Sequence, residues 1–273
     1  MSSCGVKNEM PEDEVTRYLR LRWKSLGDAG ALFCQPFLDL DRNSARQVLD
    51  PDEVLGDLTG RNVLCLAGGG GQQSLAFGLL GARVTVLDLD PDQLERDQEA
   101  TAPHGLTVRT EQGDMRDLSR FEGSSFDVVW QPYSINFVPE FEVVIAEVSR
   151  VLRPDGVYTL MMANPFASGI GTRDLSGDGY VLRLPYLDGE EYVFADEDWV
   201  HDANTEVPPP REFRHTLGKV VRVLADTGFV LFRLDEAVTP DPSAAAGTWE
   251  HLKSIVPPWL TLWARKSLPP TCA

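Results

Sequence analysis

The stretch NVLCLAGGGGQQSLAFGLLGARVTVLDLD, residues 62–90, constrains this chain more than any other. An apolar run enters four consecutive glycines, Gly68 to Gly71. A helical pattern follows and closes at Gly81, and a second apolar run ends on Asp88. Runs this continuously apolar leave no face for water, which is the pattern of parallel strands covered by helices on both sides. The glycines then occupy the turn from the first strand into the first helix.

The same rhythm continues along the chain. Residues 62–67, 83–88, 106–110, 126–131 and 157–163 read as strands. Between them, Asp90 and Pro91 open one helix as N-cap and first-turn residue, and Phe141, Val144, Ile145, Val148, Val151 and Leu152 follow helical spacing until RPDG at 153–156 breaks it. After residue 163 the rhythm stops for about fifty residues, which reads as an insertion. A helix at 215–229 carries Leu217, Val220, Val221 and Leu224 on one face, and strands at 229–235 and 259–264 follow. A short helical piece near 248–255, too small for a crossover, joins those last strands, so they should be antiparallel neighbours. The expected fold is a doubly wound α/β domain: a seven-stranded, mostly parallel sheet with a last antiparallel strand and an insertion after the fifth strand. The expected organisation is an N-terminal helical lid over 1–55, a ligand-binding core over 56–164, the insertion over 165–214 as a substrate cover, and a C-terminal completion over 215–273.

Charge narrows the partners. The chain has 273 residues and a formal charge of −17, from 42 acidic against 25 basic side chains. That balance repels a phosphate backbone, so nucleic acid is an unfavourable partner. No run is long and apolar enough to span a bilayer and the first residues lack a signal-peptide pattern, so the expectation is a cytoplasmic protein without membrane partners. Cys4, Cys34, Cys65 and Cys272 are scattered without a CxxC pair, which argues against a metal site. Cys65 reads as a buried strand residue.

The glycine turn lies at the carboxyl edge of the strands, where open α/β sheets bind ligands. Missing Cβ atoms allow close approach to the main chain, and the amides at a helix start present donors to anionic groups. Asp88, at the tip of the next strand, is placed to accept from ribose hydroxyls, a charged acceptor worth about 1.5–3 kcal/mol. A nucleotide-like cofactor follows. These features are shared with NAD-dependent oxidoreductases, although the G-x-G-x-x-G pattern is met only by Gly69, Gly71 and then Ser74.

The order of the glycine turn, then Gly113, Asp114 and Met115 after the third strand, then FDVVW in the fourth, resembles class I S-adenosylmethionine-dependent methyltransferases, in particular bacterial enzymes acting on small molecules. The resemblance spans residues 62–163 and resumes in the last helix and strands. It implies S-adenosyl-L-methionine as cofactor and transfer of a methyl group to an oxygen, nitrogen or sulfur of a small-molecule acceptor. By position it implies that Ala67, Gly68, Gly69, Gly71 and Gln73 hold the methionine end, with Gln131 beside it. It further implies that Asp88 binds the ribose, that Leu89 lies against the adenine, and that Asp114 and the Met115 amide read the adenine edge. Cys65 stands where many relatives carry an acid. A module that binds S-adenosylmethionine without turnover is a further reading.

His215, Tyr133 and Asn136 are the catalytic candidates: His215 as a base before the late helix, Tyr133 and Asn136 as residues beyond the fourth strand lining the acceptor site. Asn164 and Tyr186 are further contacts. Tyr18, Arg22 and Trp23 on the N-terminal helix form an expected lid, with Arg22 toward the cofactor carboxylate. His104, His201 and His251 read as loop or surface residues.

Overall fold

Alternate residues of the first strand pack into different apolar clusters, Leu64 and Leu66 into one, Val63 and Cys65 into the other, so the strand has two dry faces. The computed structural model describes residues 13–170, 175, 177, 179–193, 206–238 and 240–268. Cys4, His201 and Cys272 lie outside these residues, as do parts of the expected lid and insertion.

In chain order the elements are α1 (Glu14–Asp28), α2 (Arg42–Leu49), β1 (Asn62–Leu66), α3 (Gln73–Leu79), β2 (Arg83–Asp88), α4 (Pro91–Thr101), β3 (Arg109–Gln112), β4 (Phe126–Gln131), α5 (Phe141–Val151) and β5 (Leu152–Ala163). Then follow β6 (Glu191–Val193), β7 (Arg211–Phe213), α6 (Leu217–Asp226), β8 (Phe229–Glu236), α7 (Trp249–Ile255) and β9 (Trp259–Lys266). Helix starts obey local chemistry. Asp13 accepts from the Thr16 amide at 2.8 Å, Asp41 and Ser44 form a reciprocal capping box, and Asp90 accepts from the Asp92 amide at 3.1 Å ahead of Pro91.

Seven strands form one sheet in the order β3-β2-β1-β4-β5-β9-β8. The first five are mutually parallel, and β9 runs antiparallel to both β5 and β8. The chain reverses its winding direction between β1 and β4, and that switch point opens a crevice above their carboxyl ends.

Two local expectations shift. The third strand begins at Arg109 rather than 106, because Leu106 packs against α3; a Cβ on Gly78 would lie 2.9 Å from its Cδ1. The RPDG segment does not precede the fifth strand but is an excursion within it: β5 pairs Leu152 with Phe126 and resumes at Val157 opposite Val128, with Asp155 at φ 66°. In the inserted region, β6 and β7 form a separate antiparallel ribbon pairing Glu191 with Phe213 and Val193 with Arg211.

Candidate active site

A cavity of about 370 Å³ lies over the switch point, within the range of roughly 300–1,000 Å³ usual for small-molecule sites. Its two halves differ. One is formed by Ala67, Gly68, Gly69, Asp88, Asp114 and Met115 at the strand ends; the other is walled by Trp23, Phe33, Tyr133, Phe137, Met161 and Trp259.

The glycine turn is held by two acidic side chains. The Gly69 amide donates to Asp88 Oδ2 at 2.9 Å, while the Gly70 and Gly71 amides donate to the two oxygens of Asp97 at 3.2 and 3.0 Å. Ser74 Oγ also donates to Asp97. Asp97 is fully buried, and burial raises its carboxyl to about 7 despite these donors. Sequence reasoning does not reach this residue, although the inward-facing series Leu94, Asp97, Ala100 and Thr101 in α4 carries the signal: an acid on a buried stripe.

The reason for the glycines is amended by this packing. A Cβ on Gly69 would lie 2.7 Å from Gln93 Cβ, and one on Gly71 would lie 2.8 Å from both Ala100 Cβ and Pro36 Cβ. Gly71 also has φ +81°. These positions let α4 and the segment before α2 press onto the turn. Gly68 and Gly69 line the cavity; Gly71 does not.

Asp88 opens to the cavity and accepts from the Gly69 and Asp90 amides, one at each oxygen, leaving further acceptor capacity on both. Burial raises its carboxyl to about 6, against the opposing effect of those amides. Asp114 accepts from the Arg116 amide at 2.8 Å, from the Arg116 guanidinium at 2.7 Å and from Thr16 Oγ1 of α1 at 3.0 Å. Arg116 also pairs with Asp13 and Glu140, which ties α1 to the strand ends. Leu89 and Gln73 line the cavity as well. Gln131 lies behind the wall, its Nε2 donating to Met115 Sδ at 3.2 Å and Ser134 Oγ at 3.0 Å; it braces two lining residues without being one. Gln93, also outside the sequence expectation, lines the cavity while 3% exposed, and among the described residues its carboxamide meets the Cys34 thiol but no oxygen or nitrogen partner. A buried amide of this kind is costly unless a ligand completes it.

The catalytic candidates separate. Tyr133 lines the cavity and its hydroxyl donates to Glu212 Oε2 at 2.6 Å. Asn136 is 1% exposed and clamps the scaffold instead, donating to the Phe213 carbonyl at 3.0 Å and accepting from the Ala163 amide at 2.8 Å. His215 is sealed in the interior: its Nε2 donates to the carbonyls of Ile135 and Val138 at 3.2 and 3.1 Å, and its ring lies 4.3 Å from that of Phe141. Burial lowers its basicity, and it does not line the cavity, so the structure places it in the core.

Of the expected lid, Trp23 reaches the cavity, where its ring meets Phe33 and Phe137 edge-on. Arg22 turns away to the Pro208 carbonyl and Tyr18 to that of Pro209, so the guanidinium is spent on the inserted segment. Asn164 donates to the Pro257 carbonyl, and Tyr186 stacks on Phe166; neither lines the cavity. His104 is exposed and His251 pairs with Tyr180. Among the described residues no group of His, Cys, Asp or Glu is arranged to hold a metal, and no helix is long and apolar enough to cross a membrane.

A family profile described as a methyltransferase domain matches residues 64–160. The chain is 35% identical over 185 residues to the uncharacterized methyltransferase YbaJ of Bacillus subtilis, spanning 66% of this chain and 70% of that one. It belongs to the class I S-adenosylmethionine-dependent methyltransferases. The fold agrees with a crystal structure of such a methyltransferase from Mesorhizobium loti, with TM-score 0.61 at 20% identity over 82% of this chain and 96% of that chain. A Burkholderia thailandensis 1,6-didemethyltoxoflavin-N1-methyltransferase, solved with its substrate and S-adenosylhomocysteine, aligns with TM-score 0.57 at 19% identity over 93% and 90% of the two chains.

The family decides against the nicotinamide reading of the glycine turn: the methyltransferase uses S-adenosylmethionine. The donor set suits that molecule. Two acids on adjoining strand ends face a cavity whose buried Gln93 amide has only the Cys34 thiol for a protein partner, and a nucleoside carries the hydroxyls and ring nitrogens that complete such groups.

Proposed function

We propose that this methyltransferase methylates an oxygen, nitrogen or sulfur of a small molecule held in the apolar half of the cavity. The observation that carries this reading is one continuous cavity with acids and the glycine turn at one end and aromatic walls at the other. In this reading Asp88 takes the ribose hydroxyls, Leu89 packs on the adenine, Asp114 and the Met115 amide read its edge, and the main chain at Ala67 to Gly69 receives the methionine portion.

S-adenosylmethionine supplies an activated methyl group and its own leaving group, so the protein's task is alignment. Trp23, Phe33, Phe137 and Trp259 close around the acceptor and exclude water, and holding it in line is the effect that contributes about 7–11 kcal/mol in well-oriented systems. Tyr133, backed by Glu212, takes the place beside the acceptor that the sequence suggested for His215. The charge of −17 favours a small acceptor over nucleic acid.

A screen of small hydroxyl, amine and thiol compounds, read out as S-adenosylhomocysteine release, tests the assignment. Turnover that Trp259→Ala slows supports it. Silence across the screen from a protein that binds S-adenosylhomocysteine would instead favour a module that holds the cofactor without using it.

A further inference from the structure

The inserted ribbon places one buried acid behind the cavity wall. Glu212, on β7, is 1% exposed, and two phenols point at the same oxygen: Tyr133 donates to Oε2 at 2.6 Å and Tyr192 at 2.7 Å. Tyr133 is the member of this group that lines the cavity, its ring set edge-on to Phe137 at 5.7 Å and Trp259 at 6.5 Å. A phenol has a single proton. With that proton directed at Glu212, what the Tyr133 oxygen can turn to a ligand is a lone pair. Burial, then the charge of Glu212, push this phenol far above its usual value, so it keeps the proton.

The surrounding charge adds a second constraint. No lysine, arginine or histidine is among the described residues lining the cavity, whereas Asp88 and Asp114 are. An anionic acceptor would lose its water shell without gaining a cation from the protein, and would face Asp88 and Asp114. A cationic one would meet the sulfonium of the cofactor.

We propose that Tyr133, oriented by Glu212, makes this cavity selective for an uncharged, largely apolar acceptor that donates a hydrogen bond from an O–H or N–H group to the Tyr133 oxygen. Glu212 is a positioning residue here, since it acts through Tyr133. The inference rests on the proposed methyltransferase site and narrows its substrate class.

The test uses matched probes on the full chain. Protein saturated with S-adenosylhomocysteine is titrated calorimetrically with phenol and 2-naphthol, with their methyl ethers, and with benzoate and 2-naphthoate. The better-fitting alcohol should bind at least tenfold more tightly than its ether and its carboxylate counterpart. In Tyr133→Phe the alcohol and ether should bind within about twofold of each other, a change in ratio that loss of packing alone does not produce. If that variant does not fold, the wild-type ratios decide alone. Equal binding of ether or carboxylate, or no binding by either alcohol, overturns the inference. Failure to bind S-adenosylhomocysteine at the outset would instead strike the proposed site itself, so the two failures are distinguishable.

Discussion

Asp88 and Gly71 show how differently two residues of one motif act. Asp88 has acceptor capacity left after the Gly69 and Asp90 amides are served, so Asp88→Ala should weaken S-adenosylhomocysteine binding by about tenfold to a hundredfold, measured by calorimetry. Its carboxyl is raised to about 6 by burial. A ligand that donates to the carboxylate prefers the ionised form, so affinity should fall as pH drops through about 6 and level off above it. Asp88→Asn should flatten that profile; an unchanged slope would count against the ribose role. Gly71 answers to the fold. Its left-handed backbone and the 2.8 Å approach of Ala100 and Pro36 should make Gly71→Ala cost more than the roughly 1–2 kcal/mol of a left-handed alanine alone. Gly228, with φ +86° and open space around it, is the control: in urea melts Gly228→Ala should cost only that conformational amount. The glycines were visible in the sequence, but the partner that requires Gly71 was not, because it arrives from a helix about thirty residues on.

At the level of elements, α1 is coupled to the strand-end half of the cavity through a polar contact. Thr16 donates to Asp114 and accepts from Arg116 at 2.8 Å, with Asp13 on the same guanidinium. Thr16→Val keeps the shape and removes both bonds. It should cost about 1–3 kcal/mol, weaken S-adenosylhomocysteine binding several-fold and speed amide exchange in α1. Periodicity made the helix legible, and Asp114 stood out by its place after the third strand. The bond between them depends on Arg116, whose role no local pattern signals. The insertion was legible only as a break in rhythm; its β6–β7 ribbon, and Glu212 beneath Tyr133, come from cross-strand pairing that a sequence of mixed polarity does not announce.

Taken whole, the molecule should behave as one ligand-linked unit, because the cavity is shared by α1, the strand ends and the β7–Tyr133 contact. S-adenosylhomocysteine at about a hundred times its Kd should add roughly 2.7 kcal/mol of stability. For a chain of this size that raises Tm by about 5–10 °C in a calorimetric melt, while NAD at equal concentration should leave Tm unchanged. The parallel core and the antiparallel finish were determined by the sequence, because burial on both faces, short connections and helix caps are local or periodic properties written residue by residue. So was the place of the polar end of the cavity, since a glycine turn and an acid at adjacent strand tips fall at the switch point in any such fold. Only the tertiary structure decided that His215 is sealed in the core, that Arg22 serves Pro208, that Gln93 lines the cavity, and that Asp97 and Glu212 stand behind the glycine turn and Tyr133. Those roles are set by which distant segments meet and how much water remains between them, and burial changes what a titratable side chain can do without changing its letter in the sequence.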